Sequence, residues 1–93
     1  MTEMTHVPGR NAGNVILYAL STCVWCEKTK RLLTELGVEF SYLYVDLLEQ
    51  DELEKVLSEI QEFNPKGSFP TLVIDGGRTI VGFREEDIRR AFS

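Results

Sequence analysis

Two thiols separated by two residues, Cys23 and Cys26, are the side chains of this 93-residue sequence best suited to chemistry, and they are its only cysteines. A thiolate can attack a disulfide in a partner, and a second thiol one helical turn later can then displace the partner's sulfur. The pair follows a continuous apolar run, Val15 to Ala19, and opens a helical pattern. Cys23 should therefore lie at the exposed start of a helix, where free backbone N–H groups stabilise a thiolate. The spacing predicts a redox-active disulfide, with catalytic roles for both cysteines and no bound cofactor.

A metal site is the main alternative use of these thiols. Structural zinc takes about four ligands, whereas the sequence offers this pair and one distant histidine, His6. We therefore expect no metal ligands within one chain. A metal or iron–sulfur cluster shared between two chains stays open as a less favoured alternative.

The charge balance restricts the partners. The sequence has 10 basic and 15 acidic residues, for a net charge of −5. That balance argues against nucleic acid or an anionic membrane as partner. No run approaches the ~20 apolar residues that span a bilayer, and the start lacks the apolar core of a signal peptide. We expect a cytoplasmic monomer that contacts other proteins.

The hydrophobic pattern predicts an α/β domain over residues 14–93 with elements in the order β-α-β-α-β-β-α. Residues 1–13, rich in glycine and polar side chains, are predicted to be a flexible tail. Because helical crossovers join the first strands, these strands should be parallel, and a hairpin should complete a four-stranded mixed sheet with helices on both faces. The strands are predicted at Val15–Ala19, Glu39–Val45, Thr71–Ile74 and Arg78–Val81, and the later helices at about Glu49–Glu62 and Glu85–Phe92.

Two residues near the expected site each have two interpretations. Pro70 either simply begins the strand that follows it or forms a cis bond with Phe69; the element order and the cysteine pair together favour cis. Trp25, between the cysteines, either packs as an exposed helix residue on the N-terminal tail or the last helix, or offers a partner polypeptide an apolar platform beside the sulfurs. A helix start that opens on solvent rarely needs tryptophan for the core, so we favour the platform.

The chain resembles the glutaredoxin family over about residues 15–93. The resemblance is carried by Ser-Thr-Cys-Val-Trp-Cys, Phe-Pro-Thr, Asp-Gly-Gly and a short final helix. It implies a thioredoxin-like fold in which Cys23 is the nucleophile and Cys26 the resolving thiol. It also implies that Pro70 is cis and faces the cysteines, and that Phe69 offers backbone groups to a substrate chain by strand addition.

Two positions depart from the members of the family that use glutathione. Leu20 stands where they carry a basic residue, and Arg84 lies near an expected acid. The run Gly82-Phe83-Arg84 resembles NrdH-type redoxins instead, which donate electrons to ribonucleotide reductase and are recharged by thioredoxin-reductase-like enzymes. We therefore add Gly82 and Arg84 to the substrate-binding candidates, although they could merely form a turn and begin a helix. The electron donor is predicted to be a reductase, with a low-molecular-weight thiol such as glutathione as the alternative.

Overall fold

The computed structural model describes residues 4–92. Within this range there are five strands and three α-helices. The strands are β1 (Thr5–Val7), β2 (Val15–Ala19), β3 (Phe40–Tyr44), β4 (Thr71–Ile74) and β5 (Arg78–Val81). The helices are α1 (Val24–Glu35), α2 (Gln50–Phe63) and α3 (Glu85–Ala91), and a short 3-10 turn covers Val45–Leu47.

The strands form one mixed sheet in the order β1-β3-β2-β4-β5. Strands β2 and β3 are parallel, as predicted, because α1 returns the chain to the end from which β2 started. Strands β4 and β5 form the predicted antiparallel hairpin. At its turn, Asp75 and Gly76 have φ of 53° and 69°, which suits the right-handed twist of the paired strands.

Side chains from both faces of the sheet are buried, which explains the continuous apolar runs of β2 and β4. Helices α1 and α3 cover one face, and α2 covers the other. The first cluster includes Leu17, Cys26, Leu33, Leu72 and Ile88. The second consists of Tyr18, Leu43, Val45, Val56, Ile60 and Val73. The predicted arrangement of helices on both faces is confirmed.

The predicted flexible tail is wrong for residues 5–7, and the sheet has five strands rather than four. Strand β1 pairs antiparallel with the outer edge of β3. The following segment is held as well, since the Arg10 N–H donates to the Gly37 carbonyl at 2.6 Å and its guanidinium donates to the Phe92 carbonyl at 2.7 Å. Backbone hydrogen bonds hold this segment, and so short and polar a strand has no hydrophobic periodicity from which it could be predicted. Residues 1–3 of the predicted tail lie outside the described part.

Among residues 4–92 no helix combines the length and apolar character needed to cross a membrane.

Candidate redox site

The parallel pair of strands brings two segments together at one end of the sheet. Ala19, the last residue of β2, lies opposite Tyr44, the last residue of β3. The residues that follow each strand are therefore neighbours. One segment leads to Cys23, and the other begins with Val45 and Asp46.

The antiparallel hairpin delivers two further segments to the same end. Strand β4 starts at Thr71, which pairs with Tyr18 near the end of β2. Pro70 immediately precedes it, and Gly82 immediately follows β5. The Pro70 carbonyl accepts a hydrogen bond from the Gly82 N–H at 2.9 Å. The fold thus brings the cysteine segment, Pro70 and Gly82 to the same end of the sheet.

Cys23 occupies the N-cap position of α1. Its backbone is extended, with φ −93° and ψ 117°, and its Sγ accepts a hydrogen bond from the Cys26 N–H at 3.2 Å. The Cys23 N–H in turn donates to the Leu20 carbonyl at 3.3 Å, closing the loop before the helix. The sulfur thus takes the capping place that a serine oxygen often fills. The Cys26 N–H and the N-terminal end of α1 therefore face this partly exposed sulfur.

Cys26 has the opposite environment. It is only 2% exposed and belongs to the core cluster that α1 and α3 cover. Burial, reinforced by the hydrogen bond with Cys23, raises the pKa of Cys26 to about 12. The charge of Asp46 also raises this pKa, whereas a backbone hydrogen bond from Leu20 lowers it. At neutral pH Cys26 is therefore a protonated thiol, and both cysteines are free in the structure.

An apolar surface, formed by exposed Val24 and Trp25 and by half-buried Phe83, borders Cys23. Val24 and Trp25 are 66% and 56% exposed, so Trp25 is not a core residue. The rings of Trp25 and Phe83 stack with centroids 6.1 Å apart at 25°. The Lys28 ammonium lies 4.7 Å from the Trp25 ring centre. The stacking of Phe83 on Trp25 was not predicted, because it joins α1 to the segment after β5 and so depends on tertiary structure.

The Phe69–Pro70 peptide bond is cis, as the sequence favours. Buried Asn64 fixes the loop before it, since its side-chain nitrogen donates to the Ser68 carbonyl at 3.0 Å and to the Thr71 hydroxyl at 3.2 Å. Phe69 is half-buried and packs against both core clusters. Asn64 therefore positions the segment that the resemblance assigns to substrate pairing.

Gly82 and Arg84 connect β5 to α3. Gly82 has a φ of 84°, a left-handed conformation that favours glycine. Arg84 occupies the N-cap of α3, is exposed, and donates from Nε to the Val81 carbonyl at 3.2 Å. Leu20, by contrast, packs against the second core cluster. The position that carries a base in glutathione-using members is thus filled by an apolar side chain in contact with the core.

Ser21 and Asp46 form a contact beside the cysteine loop that the sequence analysis missed. The Asp46 carboxylate accepts the Ser21 N–H at 2.8 Å and the Ser21 hydroxyl at 2.5 Å. These bonds, the hydroxyl first, lower the pKa of Asp46. The parallel register was the available signal, because it places residues at equal distances beyond the ends of β2 and β3 side by side.

His6 lies away from this site. Its Nε2 is 2.7 Å from the Glu39 carboxylate, an exposed contact between β1 and the segment before β3. Within residues 4–92, no three His, Cys, Asp or Glu side chains come together in a group that could hold a metal ion.

Known proteins are similar to this chain in sequence and in fold. Residues 15–78 match the family model described as Glutaredoxin. An uncharacterized glutaredoxin-like 8.6 kDa protein from the rubredoxin operon of Clostridium pasteurianum is 33% identical over 72 residues, covering 77% of this chain and 88% of that protein. The glutaredoxin structure from Methanosarcina mazei has a TM-score of 0.91 at 52% identity, covering 99% of this chain and 89% of its own. Methanoredoxin from Methanosarcina acetivorans has a TM-score of 0.89 at 49% identity, covering 91% and 90%.

Proposed function

Because the chain belongs to the glutaredoxin family and is a thiol–disulfide oxidoreductase, we propose that it reduces disulfides of partner proteins through Cys23 and Cys26 and is recharged by a thioredoxin-reductase-like enzyme. One observation carries the assignment of roles. The Cys23 sulfur is partly exposed and accepts a hydrogen bond from a helix N-terminal N–H at 3.2 Å, whereas Cys26 is buried behind it.

The roles follow from this asymmetry. The Cys23 thiolate attacks one sulfur of a partner's disulfide, forming a mixed disulfide and releasing the partner's other sulfur as a thiolate, which takes up a proton. Cys26 then loses its proton to solvent and attacks Cys23. The bond between Cys23 and the partner breaks, the Cys23–Cys26 disulfide forms, and the partner's second sulfur leaves reduced. Two electrons pass to the partner, and no other cofactor is needed.

The surroundings of Cys23 suit a polypeptide substrate. The Val24–Trp25–Phe83 surface can cover the apolar side chains of a partner. Phe69, before the start of β4, is the residue proposed to pair with the backbone of a substrate strand. Gly82 bonds to the Pro70 carbonyl and so helps to hold that segment.

The electron donor is proposed from two positions. Leu20 offers no positive charge to a glutathione carboxylate. Arg84 places a positive charge near the position where glutathione-using members carry an acidic residue. Both work against tight binding of glutathione. Ribonucleotide reductase is the acceptor suggested by the resemblance of Gly82-Phe83-Arg84 to NrdH-type redoxins.

Trapping tests the two cysteine roles. The Cys26→Ser variant, incubated with a protein disulfide, should accumulate a covalent complex that dithiothreitol releases, because Cys23 attacks but nothing resolves the product. The matched Cys23→Ser variant should trap at least tenfold less complex, since it lacks the thiolate at the helix start. Equal trapping by both variants would contradict the assigned roles.

A competition between donors tests the source of electrons. The oxidised protein is offered either thioredoxin reductase with NADPH, or glutathione with glutathione reductase and NADPH, and disulfide opening is followed by Trp25 fluorescence. The thioredoxin reductase route should be faster. The Arg84→Asp variant has an acid in the region where glutathione-using members have one, so the difference in rate between the two routes should be smaller. A wild-type preference for glutathione would establish the alternative, a glutathione-dependent glutaredoxin.

A further inference from the structure

We propose that Asp46 is a positioning residue for the cysteine pair, holding the loop before Cys23 through Ser21 and placing a fixed negative charge that slows resolution by Cys26. The proposal rests on the assignment of Cys26 as the resolving thiol. It adds a control on the second chemical step, exerted by a residue outside the Cys-Val-Trp-Cys motif.

The geometry provides the first support. Asp46 lies two residues beyond the end of β3, and Ser21 lies two residues beyond the end of β2, so the parallel register makes them neighbours. Both carboxylate oxygens are used, one by the Ser21 N–H at 2.8 Å and one by its hydroxyl at 2.5 Å. Ser21 is separated from Cys23 by one residue. The carboxylate therefore fixes the chain where it enters the active loop.

Electrostatics provides the second support. The bonds from Ser21 lower the pKa of Asp46, which favours the charged carboxylate. Burial is the main reason that the pKa of Cys26 is raised, and the negative charge of Asp46 raises it further. The charges that act on Cys26 come from Cys23 on its own helix and from Asp46 on the 3-10 turn. The remaining neighbours of Cys26 in its cluster are apolar.

The chemical consequence concerns timing. Resolution requires the Cys26 thiolate, and a nearby anion makes that thiolate scarcer. Cys26 then stays protonated longer after the mixed disulfide forms, so the mixed disulfide between Cys23 and the partner has a longer lifetime. A rise in thiolate population is partly offset by weaker nucleophilicity, so loss of the charge should accelerate resolution by only about two- to threefold.

A two-phase reaction separates this step from the first. The reduced wild-type protein is mixed rapidly with an excess of the uncharged disulfide dithiodipyridine. Attack by Cys23 releases the first thiopyridone, and resolution by Cys26 releases the second. The Asp46→Asn variant, whose amide can still bond to Ser21, should accelerate the second phase about two- to threefold across neutral pH. The first phase should change less.

Three matched variants make the test specific. Asp46→Glu keeps the charge and should retain the slow second phase. Ser21→Ala keeps the charge but loses the hydroxyl bond, and should accelerate the second phase less than Asp46→Asn does. Asp51→Asn removes the same charge from the exposed first turn of α2 and should match wild type. Thermal melts of each variant confirm that the folded protein is compared.

The outcomes separate this proposal from the proposed function. A second phase in wild type that Asp46→Asn leaves unchanged, or that Asp51→Asn accelerates equally, would overturn the role of Asp46 alone. An Asp46→Glu variant that behaves like Asp46→Asn would overturn it as well, because only the structural contact would then matter. Absence of any second phase in the wild type would instead contradict the assignment of Cys26 as resolving thiol.

Discussion

Two loops meet at the redox end of the sheet, and each is held by a polar side chain in a different environment. Asn64 is buried and fixes the loop of Phe69 and Pro70 from inside the protein. Asp46 is exposed and fixes the loop that leads to Cys23 from outside. A buried polar group strongly affects stability, because losing a partner leaves desolvated atoms unpaired. An exposed charge has little effect on stability but can still act on a nearby thiol.

Removing the buried group should give the largest effect. We expect Asn64→Ala to lower the free energy of unfolding by about 2–3 kcal/mol, because Thr71 loses a donor in a place that water cannot readily reach. Urea denaturation measures the change. The matched change of exposed Asn11 to alanine should cost less than about 0.5 kcal/mol. Equal losses in the two variants would remove the distinction between the buried and exposed groups.

Much of this end of the molecule follows from sequence because its signals are local. The apolar run of β2, the cysteine spacing and the Asp75-Gly76-Gly77 turn each specify their own structure, and with the element order they predicted an α/β domain. Its thioredoxin-like fold was implied by the resemblance that the same motifs carry. The Phe69–Pro70 bond was predicted from its place in that order. The motif therefore located the two cysteines that the fold places at the start of α1.

The two polar contacts were missed because they depend on long-range register. Asn64 could be recognised as the end of α2, but its contact with Thr71 requires the loop to fold back. Ser21 and Asp46 are 25 residues apart and meet only because β2 and β3 are parallel. Strand β1 was missed for a related reason, since backbone pairing with β3 defines it and its side chains carry no hydrophobic period.

The apolar surface that borders Cys23 extends the comparison from positioning to substrate binding. Replacing Trp25 by alanine should lower the rate with a protein disulfide about tenfold, and lower the rate with hydroxyethyl disulfide much less, because only the larger substrate reaches the stacked rings. Parallel kinetic assays on both substrates measure the difference. Leu57→Ala, an apolar change at a partly exposed position of α2, is the control and should affect neither rate. Equal losses with both substrates would place Trp25 in the chemical step instead.

Replacing the exposed Asp46 should have the smallest effect on the free energy of unfolding, and this effect should depend on pH. The folded-state pKa of Asp46 is lowered, first by the Ser21 hydroxyl and then by the Ser21 N–H, so its ionised form stabilises the folded protein. This stability is present above the unfolded pKa of about 3.9 and is lost as the pH falls through the folded value.

The stability advantage of wild type over Asp46→Asn should therefore be below the ~1 kcal/mol typical of exposed pairs at neutral pH, and it should disappear as the solution is acidified below about pH 4. Urea midpoints measured over that range test the sign. Ser21→Ala removes the hydroxyl that contributes most to the lowered pKa of Asp46. In the Ser21→Ala background, the stability difference between the protein that keeps Asp46 and its Asp46→Asn variant should therefore be smaller, and it should also disappear in acid. An advantage that persists in acid would show that Asp46 acts by shape rather than by charge. The proposed control of Cys26 by an exposed carboxylate would then lose its electrostatic basis.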